Sequence, residues 1–494
     1  MANNIDPVPL AVCVFFFALV TVMGFIAARW RVPKNLASID EWGLGGRQFG
    51  TWITWFLVGG DFYTAYTVIA VPALVYAVGA YGFFALPYTI IVYPFVFAVM
   101  PVLWKVAAER GYATSADVVH GMYNYRPLEL AVAVTGVIAT MPYIALQLIG
   151  MAAVIKALGL TGEIPLIIAF VILALYTYSS GLRAPALIAF VKDIMIYIVV
   201  IAAVVIIPAK LGGYGAIFDA ADAAFKAKGS GGIVLSGAQF FPYASLALGS
   251  ALAAFMYPHT LTGIFASRSG DTIRKNAILL PAYTLLLGLI ALLGYMGIAA
   301  GLKVASNNDI VPELFKSQFP NWFAGFAFAA IGIGALVPAA VMSIGAANLF
   351  TRNFWKAYVN PEIDHAGEAQ VAKITSLVVK VGALLVILFL PTQFALDLQL
   401  LGGLWIMQTL PALIFGLYWS WFRAPALLAG WAAGFLIGTW MAWTDGLKPL
   451  HTLAFGSTSV TLYVGLIALA INIVVAVLVN LVVPARRVAT RPAQ

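Results

Sequence analysis

Apolar residues run in long, almost unbroken stretches along this chain. Thirteen runs approach or exceed the ~18 residues that cross ~30 Å of hydrocarbon. They lie at roughly 8–29, 50–79, 81–104, 128–157, 164–181, 184–208, 240–264, 277–302, 323–351, 371–391, 396–420, 424–444 and 461–484. Mostly short polar loops separate them. The pattern predicts an all-α integral membrane protein of about 13 transmembrane helices.

Two of the runs are interrupted. Residues 50–79 carry Gly59-Gly60-Asp61 at their middle and Pro72 a few turns later; residues 240–264 carry Pro242, Gly249-Ser250 and Pro258. A carboxylate at membrane depth faces protein, water or an ion rather than lipid. Paired glycines let the helix open, so that freed backbone groups face a ligand. The second interrupted run comes five spans after the first. Broken spans in matching places of two halves predict two inverted five-helix repeats, with the binding site where the breaks meet. The predicted divisions are a leading helix and loop at 1–49, a first repeat at 50–208 and an external loop at 209–239. A second repeat follows at 240–420, then two further helices and a basic tail at 421–494.

Composition agrees with the span pattern: 63% of residues are hydrophobic and 9% charged. The first run is no signal peptide, because MANNIDPVPL lacks Lys and Arg and the basic residues follow the run instead. Alternating through the spans, eighteen Lys and Arg fall on one side and seven on the other. That bias predicts the N-terminus outside and the C-terminus in the cytoplasm. The net charge of +8 is therefore topology and not a nucleic-acid surface. The one cysteine, Cys13, excludes a disulfide framework.

Enzymatic classes find no support. There is no phosphate-binding G-x-x-x-x-G-K-[ST] loop, and GLGGRQFG is not a dinucleotide fingerprint. His120, His259, His365 and His451 lie far apart, so no metal cluster or cofactor is expected. The expected partners are a small solute and membrane lipid, with no obligate protein partner. A channel lined by Asp61 and Asp193 is the second class.

For a carrier, the residues near the breaks are the candidates for solute binding. By position these are Tyr63, Thr64 and Tyr66 on the first core helix and Gln147 on the third. Tyr243, Tyr257 and His259 come from the sixth, and Gln408 from the tenth. No arginine is well buried in a span, so an anion is expected to use half-helix N-termini with Tyr, Thr and Gln hydrogen bonds. Asp61 is expected to act in the unwound segment.

Across nearly its full length the chain resembles the sodium:solute symporters. The likeness rests on Gly46-Arg47, Gly60-Asp61, PYIALQLIG at 142–150 and Gly181-Leu182-Arg183-Ala184. Pro258-His259, Leu410-Pro411, Leu417-Tyr418-Trp419 and the stretch from Arg423 to Gly430 complete it. GLGGRQFGTWITWFLVGGDFYTAY and PAAVMSIGAANLFTRN are most similar to the bacterial monocarboxylate permease branch. The resemblance implies a LeuT-like core, alternating access and uptake of lactate, pyruvate, acetate or a similar short acid, coupled to Na+ or H+. The alternative it leaves is a sodium-coupled carrier of an amino acid, pantothenate or a sugar.

The resemblance also implies a cation site, formed by carbonyls of the first core helix around Gly59 and Phe62 and by hydroxyls of the eighth. Aligned by AAVMS, one hydroxyl falls on Ser343 and its neighbour is Ile344. Aligned by the TRN at 351–353, the positions become Val337 and Pro338, and both hydroxyls are gone. On the fifth core helix, where a hydroxyl usually precedes an Asp, this chain has Lys192-Asp193. Lys192 is therefore expected to stand where sodium otherwise would, gaining and losing a proton in its place.

Overall fold

A computed structural model describes residues 5–29, 37–60, 63–161, 164–389 and 395–483. Helix α1 (Pro7–Ile26) starts with Pro7 in its first turn and Asp6 accepting the Val8 N–H at 3.0 Å, which fits the start of a helix. A short helix α2 (Ile39–Leu44) precedes α3 (Thr51–Gly60), α4 (Val71–Val78) and α5 (Ala85–Arg110). Next come α6 (Ser115–Tyr123), α7 (Arg126–Ala157), α8 (Ile164–Ser180) and α9 (Arg183–Lys210), then the amphipathic α10 (Gly213–Lys228). The second half comprises α11 (Phe240–Ala254), α12 (Pro258–Ala266), α13 (Gly270–Leu279), α14 (Pro281–Ala291) and α15 (Leu293–Ala299). It continues with α16 (Ile310–Gln318), α17 (Asn321–Phe350), α18 (His365–Phe389), α19 (Ala395–Ile406) and the single turn α20 (Gly416–Tyr418). Helices α21 (Ala424–Thr444) and α22 (Val464–Val482) follow.

Among the described residues ten helices are long and apolar enough to cross a membrane, or eleven with α11–α12 taken as one bent span. The remaining two of the thirteen expected runs are helical but shorter: the break divides residues 50–79, and α8 has 17 residues. The run 164–208 does divide, because Gly181 adopts φ +57; a Cβ there would stand 2.1 Å from Trp42 O.

The structure is not wholly helical. Strands β1 (Leu450–Phe455) and β2 (Thr458–Tyr463) form an antiparallel hairpin in the connection between α21 and α22. Gly456, at φ 62, takes part in its two-residue turn. Helix α17 is buried nearly throughout and packs on α1, α7 and α9, while α19 packs on α7. The turns from Tyr66 to Ala70 pack on α7, and α12 packs on α17 and α7, so these two helices back both breaks.

Of the three interruptions expected in the second broken span, the break falls at Pro258. Gly249-Ser250 sits inside continuous α11, and the helix stops at Phe255–Tyr257, where the axis bends by 46°. Pro258 has no N–H to donate and so starts α12 instead of continuing α11.

Candidate functional site

Helix α3 ends at Gly60, the chain leaves the helix at Tyr63 and Thr64, and helical turns resume at Tyr66. Asp61 and Phe62, both expected at this break, lie outside the described residues. Lys192, on α9, reaches the opened segment. Its ammonium donates to Gly60 O at 2.7 Å and to Tyr63 O at 3.2 Å, and lies 3.0 Å from Asp193 Oδ1. Two N–H donors thus meet the two carbonyls, and the carboxylate supplies the counter-charge. Asp193 Oδ2 in turn accepts the Tyr283 hydroxyl at 2.7 Å, and all three side chains are buried.

The close approach needs the glycine. A Cβ on Gly60 would stand 2.9 Å from Lys192 Nζ and 3.1 Å from Asp193 Oδ2. Gly60→Ala is therefore expected to displace the ammonium while leaving membrane insertion intact. In proteoliposome uptake it is expected to cut solute accumulation about tenfold, the equivalent of about 1.4 kcal/mol. Unchanged accumulation would show that this contact is idle.

The expected cation ligands are rearranged. The carbonyls that face Lys192 belong to Gly60 and Tyr63, not to Gly59, which is packed against the Tyr283 ring. On α17 the residue level with Tyr63 O is Gly334, where a Cβ would lie 3.8 Å from it. One turn on along the same face come Val337 and Pro338, which carry no hydroxyl. Ser343 lies nine residues beyond Gly334, about 13 Å along the helix, and its hydroxyl donates to Ala340 O at 2.8 Å. Ser343 is thus well along α17 from the turn that faces Tyr63 O. A hard cation needs several oxygens. Among the described residues this place offers the Gly60 and Tyr63 carbonyls, both bonded by the Lys192 ammonium, and the Asp193 carboxylate beside it.

A second group of side chains lies next to the first. Gln147 Oε1, on α7, accepts the Ala65 N–H at 3.0 Å, and Thr64 Oγ1 accepts the Tyr66 N–H at 3.0 Å. Gln147 and Thr64 therefore cap the restart of the first core helix, and those two N–H groups do not face a solute in this state. The Tyr66 ring meets Tyr88 edge-on at 6.2 Å. One turn before Gln147, the Tyr143 ring stands 5.3 Å from Tyr257 and 5.4 Å from His259. Tyr257 donates its hydroxyl to Gln399 O at 2.9 Å, and so ties the second break to α19. Buried His259 Nδ1 has no hydrogen-bond partner among the described residues.

Two candidates stand apart from these groups. Tyr243 is half-buried in the first turn of α11, fourteen residues or about 20 Å of helix before Tyr257. Gln408 is held elsewhere: its Nε2 donates to Leu404 O at 2.9 Å, and Asn472 of α22 donates to its Oε1 at 3.2 Å. Its amide joins α19 to α22.

Sequence reasoning passed over Tyr283, Tyr197, Tyr143 and Tyr463. Tyr197 and Tyr143 were findable, since each lies four residues from a named candidate, Asp193 and Gln147, on the same helical face. Tyr463 ends the β-hairpin and donates its hydroxyl to Leu400 O at 2.5 Å, a contact across 63 residues that no local pattern announces. Lys380, buried in α18, was also overlooked; its ammonium donates to Ser376 O of its own helix at 3.3 Å, so it lacks the cross-helix reach of Lys192.

The model of the sodium:solute symporter family matches residues 42–434. A monocarboxylate transport permease protein of Rhizobium johnstonii is 76% identical over 98% of this chain and 99% of its own. An uncharacterised symporter of Bacillus subtilis, YodF, is 33% identical over 85% of this chain and 84% of its own. Among solved structures, a substrate-bound, outward-open Na+-coupled sialic acid symporter is similar in fold, with TM-score 0.79 and 15% identity, covering 98% of this chain and 100% of that one.

Proposed function

The chain belongs to the sodium:solute symporter family, and from that premise we propose that it takes up small monocarboxylates such as lactate, pyruvate or acetate, coupled to protons carried on Lys192. That it is a multi-pass, cation-coupled transporter and not an enzyme follows from the family. The substrate class draws on the 76% identical relative named for monocarboxylate transport. The coupling ion rests on one observation, the Lys192 ammonium bonded to Gly60 O and Tyr63 O.

Several features of the site support an acid of a few carbons. The group around Tyr66, Tyr143, Tyr257 and His259 is aromatic with few polar atoms, which suits a small apolar body. The N-terminus of α12 carries a positive dipole end, and His259 Nδ1 beside it is free to bond a carboxylate oxygen. Among the described residues the Gln147 amide oxygen is engaged by the Ala65 N–H, which leaves few side-chain amides at this group for a sugar. In the proposed cycle the solute enters at the two breaks, a proton joins the Lys192–Asp193 pair, and the broken helices rock against α7 and α17. Release on the other side returns the proton and leaves Lys192 to be charged again.

An uptake screen in proteoliposomes tests the substrate class. Lactate or pyruvate is expected to enter saturably and to compete with each other, with glucose and proline inactive. Transport of glucose or proline, indifferent to monocarboxylates, would overturn it.

A further inference from the structure

Helix α14 starts at Pro281, which has no N–H to donate and so interrupts the run from α13. Tyr93 of α5 donates its hydroxyl to Leu280 O at 3.1 Å, beside this restart. Tyr283 is thereby placed in the first turn of α14. Its ring meets the first broken span, with the rings of Trp55 and Tyr63 centred 4.9 and 4.5 Å away. Gly59 makes room for it, since a Cβ there would overlap the ring. The ring is thus seated in the broken span, yet its hydroxyl reaches out of that span. It donates to Asp193 Oδ2, on α9, at 2.7 Å.

The two oxygens of that buried carboxylate are engaged from different elements. Oδ1 faces the Lys192 ammonium at 3.0 Å, and Oδ2 takes the hydroxyl. Apart from the ammonium, the Tyr283 hydroxyl is the one hydrogen-bond donor to Asp193 among the described residues. The other titratable side chains described around the pair are Tyr63 from the first break, Tyr197 of α9 and Tyr93 of α5. Without the Tyr283 hydroxyl, Oδ2 is a buried acceptor with no donor. It would then compete for the ammonium that bonds Gly60 O and Tyr63 O.

Helix α9 packs on α17, whereas the Tyr283 ring packs on the first broken span. In the cycle proposed above the broken helices rock against α7 and α17, so the Tyr283–Asp193 bond crosses the boundary that shifts. We propose that Tyr283 is a positioning residue, whose hydroxyl ties the charge of the Lys192–Asp193 pair to the position of the first broken span. The inference rests on the proton-coupling reading. Tyr283 keeps its own proton throughout. It holds the carboxylate against Lys192 and lets go of it when the span moves, so that Oδ2 is engaged in one state and free in the other.

Tyr283→Phe tests this, because it keeps the ring and removes the hydroxyl. Two readouts separate positioning from packing. One is lactate accumulation in sodium-free proteoliposomes under an inward proton gradient; the other is the pH profile of lactate counterflow with no gradient. Accumulation is expected to fall about fivefold. The midpoint of the counterflow profile is expected to shift by about half a pH unit or more. Should Tyr283→Phe fail to fold, a fluorinated tyrosine at position 283 retains ring and hydroxyl but alters the donor, and is expected to shift the same midpoint. A rate lowered equally at every pH, with accumulation unchanged, would show that the ring only packs and would overturn the proposal. An unshifted midpoint, beside a wild type that accumulates lactate without sodium, overturns the role of Tyr283 and leaves proton coupling standing. A wild type that accumulates lactate only with sodium overturns the proton reading, and this inference with it.

Discussion

Lys192→Ala is expected to abolish proton-driven accumulation. With one proton moved per solute, an inward gradient of about two pH units supports about hundredfold accumulation, and in the variant the ratio is expected to fall to about one. The ammonium bonds Gly60 O and Tyr63 O at the first break and pairs with Asp193. Removing it leaves a buried carboxylate without its counter-charge, and breaking a buried pair costs about 3–5 kcal/mol, so the single variant risks misfolding. Lys192→Met with Asp193→Asn removes both charges together and separates coupling from folding. This double variant is expected to insert and to exchange solute downhill without concentrating it. Concentrative uptake by the double variant, measured at the same gradient, would show that the proton travels elsewhere.

Gln147→Ala is the second substitution with a large expected effect. Gln147 Oε1 holds the Ala65 N–H where the first core helix restarts, and both groups are buried. An unsatisfied buried N–H costs about 1–3 kcal/mol, and the freed segment carries Tyr63 O, one of the two carbonyls on Lys192. Initial uptake rates are therefore expected to fall about tenfold to a hundredfold. Gln147→Glu retains a carboxylate oxygen to accept the N–H and is expected to recover part of the rate. Normal transport by Gln147→Ala would mean that the restart is held by other contacts, and that Gln147 is packing.

The fold was legible because its signals are local. Apolar runs of bilayer length mark spans, and Gly59-Gly60-Asp61 marks the end of α3 within a residue. The second break was harder to locate. Gly249-Ser250 packs against Tyr463 and α22 without interrupting α11, whereas Pro258 sets the true restart. Glycine in a membrane helix serves close packing as readily as unwinding, and sequence alone does not separate the two. The hairpin at Leu450–Tyr463 was hidden for another reason: its Thr, Val and Leu residues read equally as a polar end of the next span.

The candidate site divides along the same line. Lys192, Asp193 and Gly60 were visible because a charge in an apolar run and a paired glycine stand out in one dimension. Their meeting was expected only through family resemblance, since the residues lie 132 positions apart. Tyr283 gives no signal of its own; its role as donor to Asp193 exists only once α14 is packed beside α9. Gln408 read as a ligand because a buried amide in an apolar span looks the same whether it faces a solute or, as here, Asn472. Which stretch of α17 faces Tyr63 O, that of Gly334 and Val337-Pro338 or that of Ser343, shows only in a contact between helices.

The most direct test of the central claim is uptake by the unaltered protein in sodium-free proteoliposomes with an imposed inward proton gradient. Radiolabelled lactate is expected to accumulate without sodium, to rise with the gradient and to collapse on adding a protonophore. Strict dependence on sodium with no response to the protonophore would contradict the account and return Lys192 to a structural role.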